Sequence, residues 1–218
     1  MIFIPWRAKN FLSEHFPLLY HLVRNAGTRG NNPDYWDRRL SQTWDDASRI
    51  WPTRNDLVAS LTQPSDVILD IGCGNGSILR YLKGRGYSNL HGLETSGYAV
   101  QRLGAEGIQM HSGALPSIAL PDASFDVVIA SQVLEHIIRR GRLMSEIRRV
   151  LKPRGRAFVF VPDDCLGPIS ESEHVIKFNA RSLRKLLAAY FSVVRLESIR
   201  DINHPMQVLF AHVETRAD

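Results

Sequence analysis

From Asp66 onward the chain alternates between short apolar, β-branched runs and stretches with helical spacing, and this alternation limits the possible folds more than any other feature. "DVILDI", "NLHGLE", "IQMHS", "FDVVIAS" and "RAFVFV" read as strands, while "GSILRYLKG" and "SGYAVQRLGAEG" read as helices between them. Strands joined by crossover helices form a parallel sheet covered on both faces. Ser96 predicts the N-cap of the second helix and Gly107 lies beyond its end. Leu143, Ile147, Val150 and Leu151 recur at helical spacing, with Lys152 in the last turn and Pro153 as the stop. Asn179 predicts the cap of a helix whose apolar face is Leu183, Leu186, Leu187 and Tyr190. "SVVRLESI" and "MQVLFAHV" leave no room for a helix between them, which predicts an antiparallel pair.

Residues 1–62 have a different character, helical and aromatic-rich, and read as an N-terminal extension or cap ahead of a domain spanning residues 63–218. Thr53 and Asp56 are placed to form a capping box for the helix "RNDLVASL". The opening "MIFIPWRAKNFLSEHF" lacks a basic lead-in and is broken at Pro5 and Arg7, so it does not read as a signal peptide. It suits a helix folded over the domain or, through its aromatics with Arg7, Lys9 and His15, a membrane surface. No apolar run approaches the roughly 20 residues that cross a bilayer. Net charge is +5, which permits an anionic acceptor but is too mild to call for nucleic acid, and none is expected. Cys73 and Cys165 have no metal-ligand or disulfide spacing, so no metal is expected and a reducing, cytoplasmic setting fits.

The first strand runs into "LDIGCGNGSIL", residues 69–79. A dinucleotide fingerprint places glycine at its first, third and sixth positions. Counting from Gly72 gives Gly72, Gly74 and then Ser77, with the third glycine one residue early at Gly76. Asp70 stands just before the loop, where its charge repels a phosphate and attracts an ammonium. Glu94 ends the second strand, where a carboxylate can accept both hydroxyls of a ribose. A nucleoside bearing an amino-acid arm fits these features better than NAD, and S-adenosylmethionine (SAM) is the common one.

Six stretches in order then resemble the class I SAM-dependent methyltransferases, in the branch acting on small molecules and glycans. These are "VILDIGCGNGSIL", "GLETS", "SGALP", "FDVVIASQVLEHI", "RRVLKPRGRAFVFVPDD" and "EHVIKFNARSLRKLLAAYF". The resemblance spans about Pro64 to Val213. It implies an α/β fold with a Rossmann-like, doubly wound, mostly parallel seven-stranded sheet and an antiparallel final strand. It also implies SAM as cofactor and methyl transfer to an oxygen or nitrogen of a small-molecule or glycan-type acceptor. Asp70, Gly72, Cys73, Gly74, Asn75 and Gly76 would surround the methionyl part, and Glu94 with Thr95 the ribose. Gly113, Ala114 and Leu115 would meet the adenine, and the fourth motif adds Ser131, Gln132 and Val133. Gly113 and Ala114 stand where the family usually carries an acid for the adenine amino group, and Arg154 replaces the first glycine of a Pro-Gly-Gly turn.

His136, in "LEHI", and His174, in "EHVIKF", are the candidate general bases, each with a structural or supporting role as its alternative. Glu135 is read as supporting its loop, and Asp163 and Asp164 as candidate contacts for polar groups of the acceptor. The loop from Asp163 to Phe178 and the extension would shape the acceptor pocket. Tyr35, Trp36 and Trp44 either close over the sulfonium or, with Trp51, form the core of the cap. The run "RRGRLMSEIRR" reads as a solvated helix face, with a polyanion-binding patch as the alternative. Two rival functions stay open: a SAM-binding protein without turnover, and a nicotinamide-dependent oxidoreductase.

Overall fold

In the computed structural model, residues 15–16, 32–163, 174, 176–203 and 207–216 are described. The extension contributes helices α1 (Pro33–Gln42) and α2 (Pro52–Ser60). There follow β1 (Ile68–Ile71), α3 (Ser77–Lys83), β2 (Leu90–Glu94), α4 (Gly97–Ala105) and β3 (Gln109–Ser112). Next come β4 (Phe125–Ser131), α5 (Arg140–Val150), β5 (Leu151–Pro162), α6 (Ala180–Ala188), β6 (Ser192–Arg200) and β7 (Gln207–Glu214). The seven strands form one sheet in the order β3-β2-β1-β4-β5-β7-β6. Pairings from β3 through β5 are parallel, and β7 runs antiparallel between β5 and β6. The mostly parallel sheet with its antiparallel last strand is thus the architecture expected.

Successive strand residues face opposite sides, so each strand divides its apolar side chains between two cores. Leu69, Ile71, Val128, Ala130, Val159 and Val161 face Leu143, Ile147 and Val150 of α5 and Leu183 and Leu187 of α6. Ile68, Val127, Ile129, Phe158 and Phe160 face the other way. They meet Val58 of α2, Ile78, Leu79 and Leu82 of α3, and Ala99 and Leu103 of α4, with Leu40, Trp44 and Trp51 from the extension. Burying one Leu, Ile or Phe contributes roughly 1.5–3 kcal/mol, so the extension is integral to one of the two cores.

The predicted caps form at Ser96, whose hydroxyl accepts from the Ala99 N–H at 3.2 Å, and at Asn179, which makes a reciprocal capping box with Ser182. Two local expectations fail. The Thr53–Asp56 capping box is absent, because α2 begins at Pro52 behind Trp51, which makes no side-chain cap bond. Proline at the first turn already tolerates the missing N–H and presets φ. The Arg54 N–H is instead met by Asp201 Oδ2 at 3.1 Å, and Asp56 faces Tyr81 and Arg85. α5 stops at Val150 rather than Lys152. Leu151 is already extended, and the Lys152 ammonium binds Asp126 at 2.7 Å across the strand pair.

Candidate active site

β1 lies where strand order reverses, with β2 on one side and β4 on the other. A crevice at the carboxyl ends of the strands follows from that topology. Asp70 follows Ile68 onto the face that α2 and α3 cover, two positions along the strand, and is 3% exposed. Burial raises its carboxyl to about 7; Arg54 opposes the shift and Glu94 adds to it. The Arg54 guanidinium is itself lowered to about 10, again by burial, with Asp70 and Asp201 pulling the other way. Desolvation outweighs the mutual attraction on both sides of the pair. At neutral pH Arg54 is therefore charged, while Asp70 exchanges its proton.

Arg54 was not among the predicted site residues, yet it is held at the centre of the site. Its Nη1 donates to Ser131 Oγ at 3.0 Å, and Nε and Nη2 donate to Asn55 Oδ1 at 3.2 and 3.1 Å. Nη2 also donates to Ser77 Oγ at 3.3 Å, and the guanidinium lies 5.3 Å from the Trp51 ring. The signal was present in the sequence. Trp51, Arg54, Val58 and Leu61 follow helical spacing, which places a charged side chain on an apolar stripe.

The three loop glycines all have positive φ, +62° at Gly72, +56° at Gly74 and +71° at Gly76, but their surroundings differ. A Cβ at Gly72 would sit 2.9 Å from Val133, and one at Gly76 2.5 Å from Leu103, so these two permit close packing. At Gly74 the nearest atom would be Leu40 Cδ2 at 4.0 Å, an ordinary contact distance, so this is the one loop glycine at which a Cβ would meet no crowding. The Gly74 N–H donates to Glu94 Oε2 at 2.9 Å. Glu94 Oε1 accepts from the Thr95 and Ser96 N–H groups at 2.8 and 3.1 Å, so the loop and the end of β2 form one unit. The early third glycine is thus the cap of α3 and its contact with α4.

Cys73 is inert here, because burial and the nearby Glu94 and Asp70 carboxylates push its thiol well up. Asn75 is buried and donates to the Trp44 carbonyl at 3.2 Å, tying the loop to the extension. Trp44 belongs to the cap core, 5.3 Å from the Tyr98 ring and flanked by the Arg80 and Arg102 guanidinium groups. Asp37 of α1 locks the same region by accepting from Ser96 Oγ at 2.6 Å and the Tyr98 N–H at 3.0 Å, which holds its carboxyl below the usual range. After β3 the Gly113 N–H donates to the Glu94 carbonyl at 3.1 Å; Ala114 is exposed and Leu115 lies against the core.

Ser131, Gln132 and Val133 end β4 beside this loop. Gln132 has a left-handed φ of +56°, and its buried Nε2 has no hydrogen-bond partner among the described residues. Such a conformation is uncommon outside glycine and collects at functional sites. The following turn, Leu134–His136, carries Glu135 and His136. The Ile176 N–H donates to the Glu135 carbonyl at 3.3 Å, which brings His174 to His136 with ring centroids 4.9 Å apart at 78°. Trp36 meets His136 edge-on at 5.6 Å. Both candidate bases therefore share one site, beside an aromatic of the extension.

Asp163 follows β5, and its N–H donates to the Gln207 carbonyl at 3.0 Å. Asp164, Cys165 and most of the expected acceptor loop, with residues 1–14, lie outside the described residues. In the basic helix Arg149 binds Glu146 and Asp122 and the Leu120 carbonyl.

The residues present suit an amino-acid nucleoside. Asp70 offers a buried carboxyl to an ammonium, the Glu94 oxygens lie beside the uncrowded Gly74, and Arg54 supplies a buried cation for a carboxylate. Residues 69–159 match the family described as a methyltransferase domain. A probable S-adenosylmethionine-dependent methyltransferase of Mycolicibacterium smegmatis is 31% identical over 136 residues, 55% of this chain and 49% of that one. The 27-O-demethylrifamycin SV methyltransferase of Amycolatopsis mediterranei is 29% identical over 156 residues, 65% of this chain and 55% of that one. The chain thus spans about half the length of these curated relatives. A crystal structure of a SAM-dependent methyltransferase from Aquifex aeolicus shares the fold, with a TM-score of 0.65, 16% identity, and coverage of 85% of this chain and 99% of that one.

Proposed function

Because the chain belongs to the class I SAM-dependent methyltransferase family, we propose that it transfers a methyl group to an oxygen or nitrogen of a small-molecule or glycan-type acceptor. The observation that carries this reading is the juxtaposition of Asp70, Glu94 and the uncrowded Gly74 at the strand-order reversal. Bound SAM supplies a sulfonium methyl already activated for transfer. Asp70 binds the ammonium and Arg54 the carboxylate of the amino-acid arm, while Glu94 takes the ribose hydroxyls and Gly113, Ala114 and Leu115 flank the adenine. Trp36, His136 and His174 orient the acceptor at the end of β4. Most of the rate then comes from alignment in a water-poor site. His136 and His174 act on the acceptor's nucleophile.

Of the relatives named above only the rifamycin methyltransferase has an acceptor in its name, so the acceptor class here rests on the aromatic and imidazole site and on the modest basicity of the chain. The test is formation of S-adenosylhomocysteine with a panel of hydroxylated sugars, glycans, phenols and amines, together with a mass shift in a treated extract. Product with one of these classes supports the reading. Tight SAM binding with no product from panel or extract would favour a SAM-binding protein without turnover.

A further inference from the structure

Three side chains with metal-ligating atoms meet at the carboxyl end of β4. Glu135 and His136 are neighbours in the turn, and His174 arrives from a segment 38 positions further along. One ligand atom from each lies within 4.8 Å of the other two. Glu135 is 1% exposed and His174 7%, with His136 half-buried between them and Trp36. The two imidazole planes are nearly perpendicular, an arrangement that lets nitrogens from different directions converge on one point. The His136 N–H donates to the Val133 carbonyl at 3.0 Å, and the bond from Ile176 to Glu135 closes the two segments on each other.

Two imidazole nitrogens and one carboxylate oxygen suit Zn2+ or a neighbouring first-row divalent ion, rather than Mg2+ or Ca2+, which prefer oxygen ligands throughout. Bonds of about 2.0–2.2 Å in a tetrahedral arrangement place ligand atoms about 3.4 Å apart. Closing from the observed separation takes roughly 1 Å of side-chain rotation, within reach of χ adjustments. The set carries one negative charge against the ion's two, so the occupied site still attracts an anionic oxygen.

We propose that Glu135, His136 and His174 bind one divalent transition-metal ion of the Zn2+ class, with an open position facing the acceptor. This rests on reading His136 and His174 as the acceptor-side groups. Three protein ligands leave a fourth position free, and an acceptor hydroxyl placed there is acidified, its proton leaving to solvent water. The oxygen keeps the O–H electron pair and uses it to attack the sulfonium methyl, while the C–S pair returns to sulfur. The acceptor class narrows accordingly to hydroxyl compounds.

The test is calorimetric titration of the chelator-stripped, full-length chain with Zn2+ and, separately, with SAM. Wild type is compared with Glu135→Gln, His174→Ala and His91→Ala. The last removes half of the other close imidazole pair among the described residues, His91 Nδ1 and His111 Nε2, which lie 3.1 Å apart across β2 and β3. One Zn2+ should bind wild type and His91→Ala alike, with affinity about tenfold or more lower in the other two variants. SAM affinity should stay within about twofold throughout, which reports an intact fold. Glu135→Gln is near-isosteric and keeps the test readable if His174→Ala disturbs the turn. Absence of saturable Zn2+ binding, equal affinity in all four proteins, or loss in His91→Ala alone overturns the site and leaves His136 and His174 as proton acceptors. Zn2+ binding as expected without SAM binding upholds the metal assignment and counts against the methyltransferase reading.

Discussion

Lowering the pH through neutrality should weaken SAM binding, because Asp70 in the free protein sits near half-protonation. Its carboxyl is raised from 3.8 to about 7, by burial first of all. An ammonium docked on it requires the ionised form, so below the raised value each bound SAM must displace a proton. The penalty is a factor of 1 + 10^(pKa − pH); between about pH 7.5 and about pH 5.5 the apparent Kd should rise about 25-fold. Calorimetry in two buffers of different ionisation enthalpy reads both the affinity and the released proton. Asp70→Asn should bind more weakly near neutrality and lose the dependence. Arg54→Met removes the opposing cation, so the inflection should move upward. The same shift bears on the free protein's stability. A carboxyl raised on folding costs nothing below its unfolded value; the cost grows as pH rises through about 4 to 7 and is complete above that, at about 4 kcal/mol. Thermal melts of the ligand-free wild type should therefore fall over that window relative to Asp70→Asn. A flat wild-type affinity profile, or one that persists in Asp70→Asn, would refute the reasoning.

Gly74→Arg adds a long side chain at the uncrowded loop glycine and Glu94→Ala removes the carboxylate beside it, so each should abolish or greatly weaken SAM binding by calorimetry; unchanged affinity in both would sink the site assignment. Arg154, near the start of β5, holds a left-handed φ of +62°. Arg154→Gly should raise stability by about 1 kcal/mol in urea melts, and a loss would mean that the side chain makes a contact worth more than the strain.

The sheet and the cofactor loop were legible because each depends on short-range pattern: apolar runs of strand length, caps at Ser96 and Asn179, and glycines before a helix. What stayed hidden depends on chain segments meeting in space. Arg54 acts on Asp70 because β1 alternates its faces and α2 covers one of them; the helical stripe marks Arg54 as inward-facing but does not say which carboxyl it meets. The meeting of Glu135 and His136 with His174 likewise has no signature in spacing, since it rests on one backbone bond from Ile176. The Thr53–Asp56 box failed for the same reason. A local motif lost to Asp201, an acceptor brought by the far end of the sheet.

That substitution sets an order of assembly. During synthesis β1, the glycine loop and β2 emerge well before β6. The helix that carries Arg54 takes its first-turn acceptor from residue 201, 147 positions downstream of Arg54. A nascent chain, or a fragment cut short of β6, would leave the Arg54 N–H without this acceptor. Under the proposed function, SAM affinity therefore reports that residue 201 has come back to the helix that carries Arg54.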